Sequence, residues 1–172
     1  VTGSGGFNLA SIGYEHVEFR DLAIRGNGVA LYGINTTNIG TSSRSREINI
    51  YRSSFSGFYA ANAVAVTIDN AELCRIEENH FSYAASGGAQ LRLTNKAYYA
   101  GNIWIQNNFF YIGSSYGTGG YGVYVETLDT VTHKDYNNIW SENNQYYSDP
   151  TYEGTGIYLN ASNGPIGYVH SI

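Results

Sequence analysis

The chain has 172 residues, enough for one domain with a real core, and its 42% hydrophobic and 15% aromatic content belongs to a folded protein. Charged residues make up only 13%, while Gly (21) and Tyr (17) are abundant, Pro is 2 and Met is 0. This excludes a helical bundle or coiled coil, which needs Ala, Glu, Lys and Leu in quantity, and favours an all-β chain with many turns. A net charge of -5 argues against nucleic acid as a partner, because phosphate binding needs a basic stripe. No apolar run approaches the ~20 residues that cross a bilayer, so no membrane insertion is expected. The single Cys74 cannot form an intrachain disulfide. Starting with Val and lacking Met, the chain reads as a piece of a longer polypeptide or a trimmed product.

Read in chain order, one pattern recurs. Val17-Glu-Phe-Arg-Asp-Leu-Ala-Ile24 is followed by Ile48-Asn-Ile-Tyr-Arg-Ser-Ser-Phe55 and Cys74-Arg-Ile-Glu-Glu-Asn-His-Phe81. Then come Ile103-Trp-Ile-Gln-Asn-Asn-Phe-Phe110, Ile139-Trp-Ser-Glu-Asn-Asn-Gln-Tyr146 and a truncated Val169-His-Ser-Ile172. Their starts at 17, 48, 74, 103, 139 and 169 give steps of 31, 26, 29, 36 and 30 residues. Each segment alternates apolar and polar, the signature of a strand with one buried face, and then meets a polar corner. Asn suits that corner because it tolerates left-handed backbone and bonds its own main chain. A second short strand follows in each repeat, at 29–31, 64–68, 89–93, 123–125 and 157–159, four of them introduced by small or glycine-containing stretches.

A β-sandwich also has short alternating strands, but it does not demand one corner chemistry at one offset every ~30 residues. A solenoid does, because each repeat stacks on the last and like residues fall above like. The predicted fold is therefore an all-β, right-handed parallel β-helix of five to six coils, a single domain over 1–172 with partial coils at both ends. Stacking predicts inward columns of Val17, Ile48, Cys74, Ile103, Ile139 and Val169, and of Phe19, Ile50, Ile76 and Ile105, with Ser141 and Ser171 breaking the second. It predicts a third column of Ile24, Phe55, Phe81, Phe110 and Tyr146, and an asparagine ladder of Asn79, Asn108 and Asn144. Cys74 is expected to be a small buried hydrophobe. An open solenoid end exposes strand edges, so something outside these residues should cap it.

With these segments, and Gly122-Val-Tyr-Val-Glu126 after the fourth, the chain resembles the pectin-lyase-like right-handed β-helix superfamily and, within it, bacteriophage tailspike depolymerases. The resemblance covers roughly residues 15–172 and is carried by structural motifs. It implies the central body of a longer chain, a homotrimer, and binding or cleavage of bacterial surface polysaccharide, in a virion tail or otherwise extracellular. The paired aspartates of polygalacturonases, the calcium-holding aspartates of pectate lyases and the Asp-Pro-His segment of the epimerases are missing; Asp149-Pro150 is followed by Thr and reads as a loop turn.

Outward columns supply the candidate site. Trp104 and Trp140 fall one repeat apart, and flat aromatic faces stack on sugar rings, although packing under a loop or against a neighbouring subunit is the competing reading. Glu77 and Glu142 lie two repeats apart, about 9.6 Å between backbones, with Gln106 between them. An inverting glycosidase holds acid and base ~6.5–9.5 Å apart, so this pair is the candidate catalytic pair, against the plainer reading of two solvated glutamates. Arg75, Tyr124 and Tyr158 complete the expected substrate-binding set, with Gln90 read into the tyrosine column. Arg92 is expected opposite Glu126 as a salt bridge, and Asp21, Arg52 and Glu78 as a weak ion ladder. The later coils are tyrosine-rich, with Tyr111, Tyr116, Tyr121, Tyr146, Tyr147 and Tyr152, which suits recognition or a subunit interface. His16, His80, His133 and His170 show no ligand spacing, His80 reading as a turn residue, so neither metal nor cofactor is expected. Besides a hydrolase, the same sequence allows a non-catalytic fibre or adhesin segment, or a uronate lyase, for which Arg75, Arg92 and Lys134 are the available cations.

Overall fold

The computed structural model describes residues 7–8, 15–36, 45–82, 86–95, 100–113, 119–128, 136–148, 151 and 153–172. Among them there are strands and turns and no helix. In chain order the strands are β1 (Phe7–Asn8), then β2 (Glu15–Arg20), β3 (Ala23–Arg25) and β4 (Tyr32–Asn35). The next repeat holds β5 (Ser45–Tyr51), β6 (Ser54–Ser56) and β7 (Val64–Asp69). It is followed by β8 (Ala71–Glu72), β9 (Arg75–Glu77), β10 (His80–Ser82) and β11 (Ala89–Asn95). Then come β12 (Ala100–Gln106), β13 (Phe109–Gly113) and β14 (Gly120–Thr127), and β15 (Tyr136–Glu142), β16 (Gln145–Ser148) and β17 (Gly154–Asn160), before β18 (Ile166–Ser171).

These strands form three parallel sheets, each taking strands from successive repeats. The first runs β2-β5-β8-β12-β15-β18, with β9 also pairing β5 and β12. The second runs β3-β6-β10-β13-β16, and the third β1-β4-β7-β11-β14-β17. The chain thus visits first, second and third sheet in rotation, an arrangement consistent with a parallel β-helix.

The inward columns are as expected. Ile48, Cys74, Ile103 and Ile139 are buried with Ile50, Ile76 and Ile105 in one cluster, and Val17, Phe19 and Val169 pack against it. Phe55, Phe81, Phe110 and Tyr146 stack face to face at 4.9, 4.8 and 5.1 Å. At the corner, Asn108 Oδ1 accepts from Asn79 N and Nδ2 (2.9 and 3.1 Å), and Asn144 Oδ1 accepts from Asn108 N and Nδ2 (2.9 and 3.0 Å). Asn79 Oδ1 in turn accepts from Ser53 N at 2.9 Å, so the ladder satisfies corner amides through four repeats.

The residue before each ladder position is left-handed: Asp21, Arg52, Glu78, Asn107 and Asn143 all have φ between 43° and 57°. A second left-handed column, absent from the sequence reading, precedes the first-sheet core position at His16, Glu47, Leu73, Asn102, Asn138 and Tyr168.

Three expectations need correction. Residues 29–31 form no strand: Val29 ends a turn and Leu31 lies in a bend, both exposed, and the strand is Tyr32–Asn35. His80 begins β10 and stacks on Phe109 at 5.0 Å, the corner being complete at Asn79. On the third sheet Arg92, not Gln90, is level with Tyr124 and Tyr158, and Thr94, not Arg92, with Glu126. A slip of two residues keeps every inward side chain inward, so alternation could not detect it. Gln90 is buried, and its amide donates to the Tyr111 carbonyl at 2.5 Å.

Candidate functional site

The first sheet brings Arg75, Glu77, Trp104, Gln106, Trp140 and Glu142 together, whereas Tyr124 and Tyr158, expected in the same set, lie on the third sheet. Trp104 pairs with Trp140 in register, and their rings stack 5.1 Å apart at 7°. The Arg75 guanidinium covers Trp104 at 4.6 Å, and His170 lies 6.1 Å beyond Trp140. Parallel register sets like side chains one strand spacing apart, so flat rings cover one another. The faces expected to meet sugar are therefore turned toward Arg75, each other and His170.

Gln106 is level with Glu77 on one side and Glu142 on the other. Its amide donates to Glu142 Oε2 at 2.7 Å, while Glu77 accepts from Arg75 Nη1 at 3.1 Å. Each carboxylate thus has its own partner across a column of three residues.

The third sheet holds a better-defined concavity. Along its outer face Tyr32, Val64, Ala89, Tyr121 and Thr155 are level with one another, so two short side chains are followed by a tyrosine. The step leaves a notch of about 300 Å³ lined by Asn62, Val64, Gly87, Ala89, Arg92, Tyr121 and Tyr124. Tyr121 and Tyr124 share this face because two residues, not one, turn inward between them. Val123 is core, and a Cβ on Gly122 would meet the Gly156 carbonyl at 2.7 Å and the Tyr146 ring at 3.1 Å.

The tyrosines form a cluster. Tyr121 meets Tyr124 edge-on at 5.1 Å and Tyr158 at 5.1 Å, and Tyr124 stacks on Tyr158 at 5.2 Å. Arg92 lies over the Tyr124 ring at 5.4 Å and donates from Nη2 to Glu126 Oε2 at 2.5 Å, the expected pair made on the diagonal. Asn160 Nδ2 donates to the Tyr124 hydroxyl and to Glu126 Oε1, both at 3.1 Å. Burial of the ring pushes the Tyr124 hydroxyl above its ordinary pKa, against the Asn160 bond, so it is a neutral hydrogen-bonding group at pH 7.

Sequence reasoning placed Tyr124 and Tyr158 together and missed Asn62, Val64, Gly87 and Ala89. The large–small–small–large order of the outward column was the available signal, concealed by the two-residue slip.

Elsewhere, Arg52 makes the expected pair with Asp21, through Nε and Nη2 at 2.8 and 2.9 Å, and holds that exposed carboxyl below its usual pKa. Glu78 shares with them a shallow trough that also includes His80. Tyr146 belongs to the core stack rather than to the surface tyrosines, while Tyr111 and Tyr147 face each other at 4.9 Å. Tyr116, Tyr152, His133, Lys134, Asp149 and Pro150 lie outside the described residues. No cluster of metal-ligating side chains occurs among the described residues. No protein-family model, curated protein or solved structure matches the chain.

Proposed function

We propose that this chain is a length of right-handed parallel β-helix, most like the body of a phage tailspike, that binds bacterial surface polysaccharide on its third sheet. The observation that carries this reading is the tyrosine-walled notch. Its volume of about 300 Å³ is at the small end of ligand pockets, roughly 300–1,000 Å³, and suits one or two pyranose rings. Val64 and Ala89 give an apolar floor, Tyr121 and Tyr124 rigid aromatic walls, and Asn62 and Arg92 polar groups at the sides. On this reading the chain works as part of a homotrimer, extracellularly or in a virion tail. The test is retention on immobilised capsular polysaccharides and lipopolysaccharides: Tyr121→Ala and Tyr124→Ala should each lower affinity about tenfold or more, the scale of one lost aromatic contact. Unchanged retention would remove the notch from the account.

A second reading, glycoside hydrolysis, is favoured by the column Glu77–Gln106–Glu142. Two carboxylates about two strand spacings apart leave room for a glycosidic oxygen and a water, one protonating the leaving group as the other activates the water. Arg75, Trp104 and Trp140 would border the sugar along their exposed edges. New reducing ends lost in Glu77→Gln and in Glu142→Gln would support hydrolysis. An unsaturated product would point to a lyase, and retention without cleavage to a purely binding segment.

A further inference from the structure

Resting on the carbohydrate reading of the notch, we propose that the sugar unit it accepts carries a carboxylate, bound by Arg92. Donors and acceptors around Arg92 are unevenly matched. Glu126 is already engaged at both oxygens: Oε2 accepts from Arg92, and Oε1 accepts from Asn160 Nδ2 and, at 3.4 Å, from the Tyr124 hydroxyl. Its side chain is only 12% exposed, and it does not line the notch. Arg92 is the opposite case. It is 38% exposed, lines the notch, and among the described residues donates only from Nη2; its Nε is buried without a partner and closed to a ligand, so the donors it can offer are the remaining N–H groups of Nη1 and Nη2.

The described lining residues contribute no carboxylate, so the notch has spare donors and no charged acceptor of its own. A neutral sugar hydroxyl would satisfy one donor. A carboxylate presents two acceptor oxygens to a guanidinium and recovers the charge-assisted geometry that Arg92 lacks on that side. The Tyr124 ring beneath Arg92 holds the guanidinium plane in place, so little side-chain freedom is lost on binding.

The experiment compares uronic-acid-containing capsular polysaccharides with the same polymers after reduction of their carboxyls to primary alcohols, on the intact chain. Acidic polymers should bind at least about tenfold tighter than their reduced forms, the scale of one charge-assisted hydrogen bond. Arg92→Gln should abolish that difference, and Arg92→Lys should restore part of it, which a packing role would not do. Equal retention of both forms overturns the carboxylate while leaving the binding reading standing. Retention of neither form, on a panel that also includes neutral capsules, overturns the binding reading itself. Should Arg92→Gln not fold, the paired comparison on the unaltered chain still decides.

Discussion

The hydroxyl of Tyr146 lies 3.2 Å from Ser141 Oγ, which also accepts from Asn144 Nδ2 at 3.0 Å. One repeat earlier the corresponding pair is Ile105 and Phe110, so serine replaces isoleucine just where the aromatic column gains a hydroxyl. The burial of Tyr146 raises its pKa, and the serine bond opposes that shift. Ser141→Ile should therefore strand a buried hydroxyl and cost roughly 1–3 kcal/mol. Tyr146→Phe alone should cost less, and the double variant should recover most of the loss. Urea denaturation of the four proteins measures the coupling, and strict additivity would refute it.

The ladder makes a graded prediction. Asn108 is 1% exposed, and its removal deprives Asn79 N and the Ile76 carbonyl of its side-chain bonds and leaves Asn79 Nδ2 only its bond to the Ile50 carbonyl. Asn108→Ala should cost roughly 2–4 kcal/mol, since buried groups would be left unpaired. Asn144 is half-buried, so water can replace part of what Asn144→Ala removes, and its cost should be visibly smaller. Equal costs would mean that the ladder does not act through burial.

At the left-handed corner, Glu78 with φ 57° occupies a position that Asn107 and Asn143 fill in later repeats. A side chain other than Gly or Asn is strained there by about 1 kcal/mol. Glu78→Asn should consequently stabilise the protein by up to about 1 kcal/mol, read as a rise in the denaturant midpoint at constant slope. The exposed partner pair Asp21–Arg52 offers a contrast. Asp21→Asn should leave stability nearly unchanged at pH 7 and diminish only the small loss that the wild type suffers as pH falls through the carboxylate range.

These corners show what the sequence could and could not disclose. The core columns, the aromatic stack and the asparagine ladder were legible because each rests on residue type recurring at a fixed offset, and parallel stacking rewards such repetition. The left-handed column at His16, Glu47, Leu73, Asn102, Asn138 and Tyr168 was not, because its six members share a backbone angle and no side-chain chemistry. The notch was hidden for a related reason. It arises from a difference in size between Ala89 and Tyr121, and that difference becomes spatial only once register is fixed. That Trp104 and Trp140 would be neighbours was expected, but the stacking of one ring on the other, which hides their faces, follows from the angle between them, which periodicity does not encode.

Cys74 makes the sharpest pH prediction. Its side chain is buried in the first inward column, and its thiol donates to the carbonyls of Ser45 and Glu72, both at 3.4 Å. Burial pushes the thiol up to about 12, against an ordinary value near 8.5 in an unfolded chain. A raised pKa means that the folded state binds the proton more tightly. The resulting stability is fully present below about pH 8.5 and is lost as pH rises toward 12. Native protein should therefore resist thiol reagents at pH 8, labelling at the rate of opening rather than at the rate of a free thiolate. Cys74→Val, close in volume, should keep the fold and flatten the alkaline decline between about pH 9 and 12. Rapid labelling of the folded protein, or an alkaline decline undiminished in Cys74→Val, would show that this column is open to solvent.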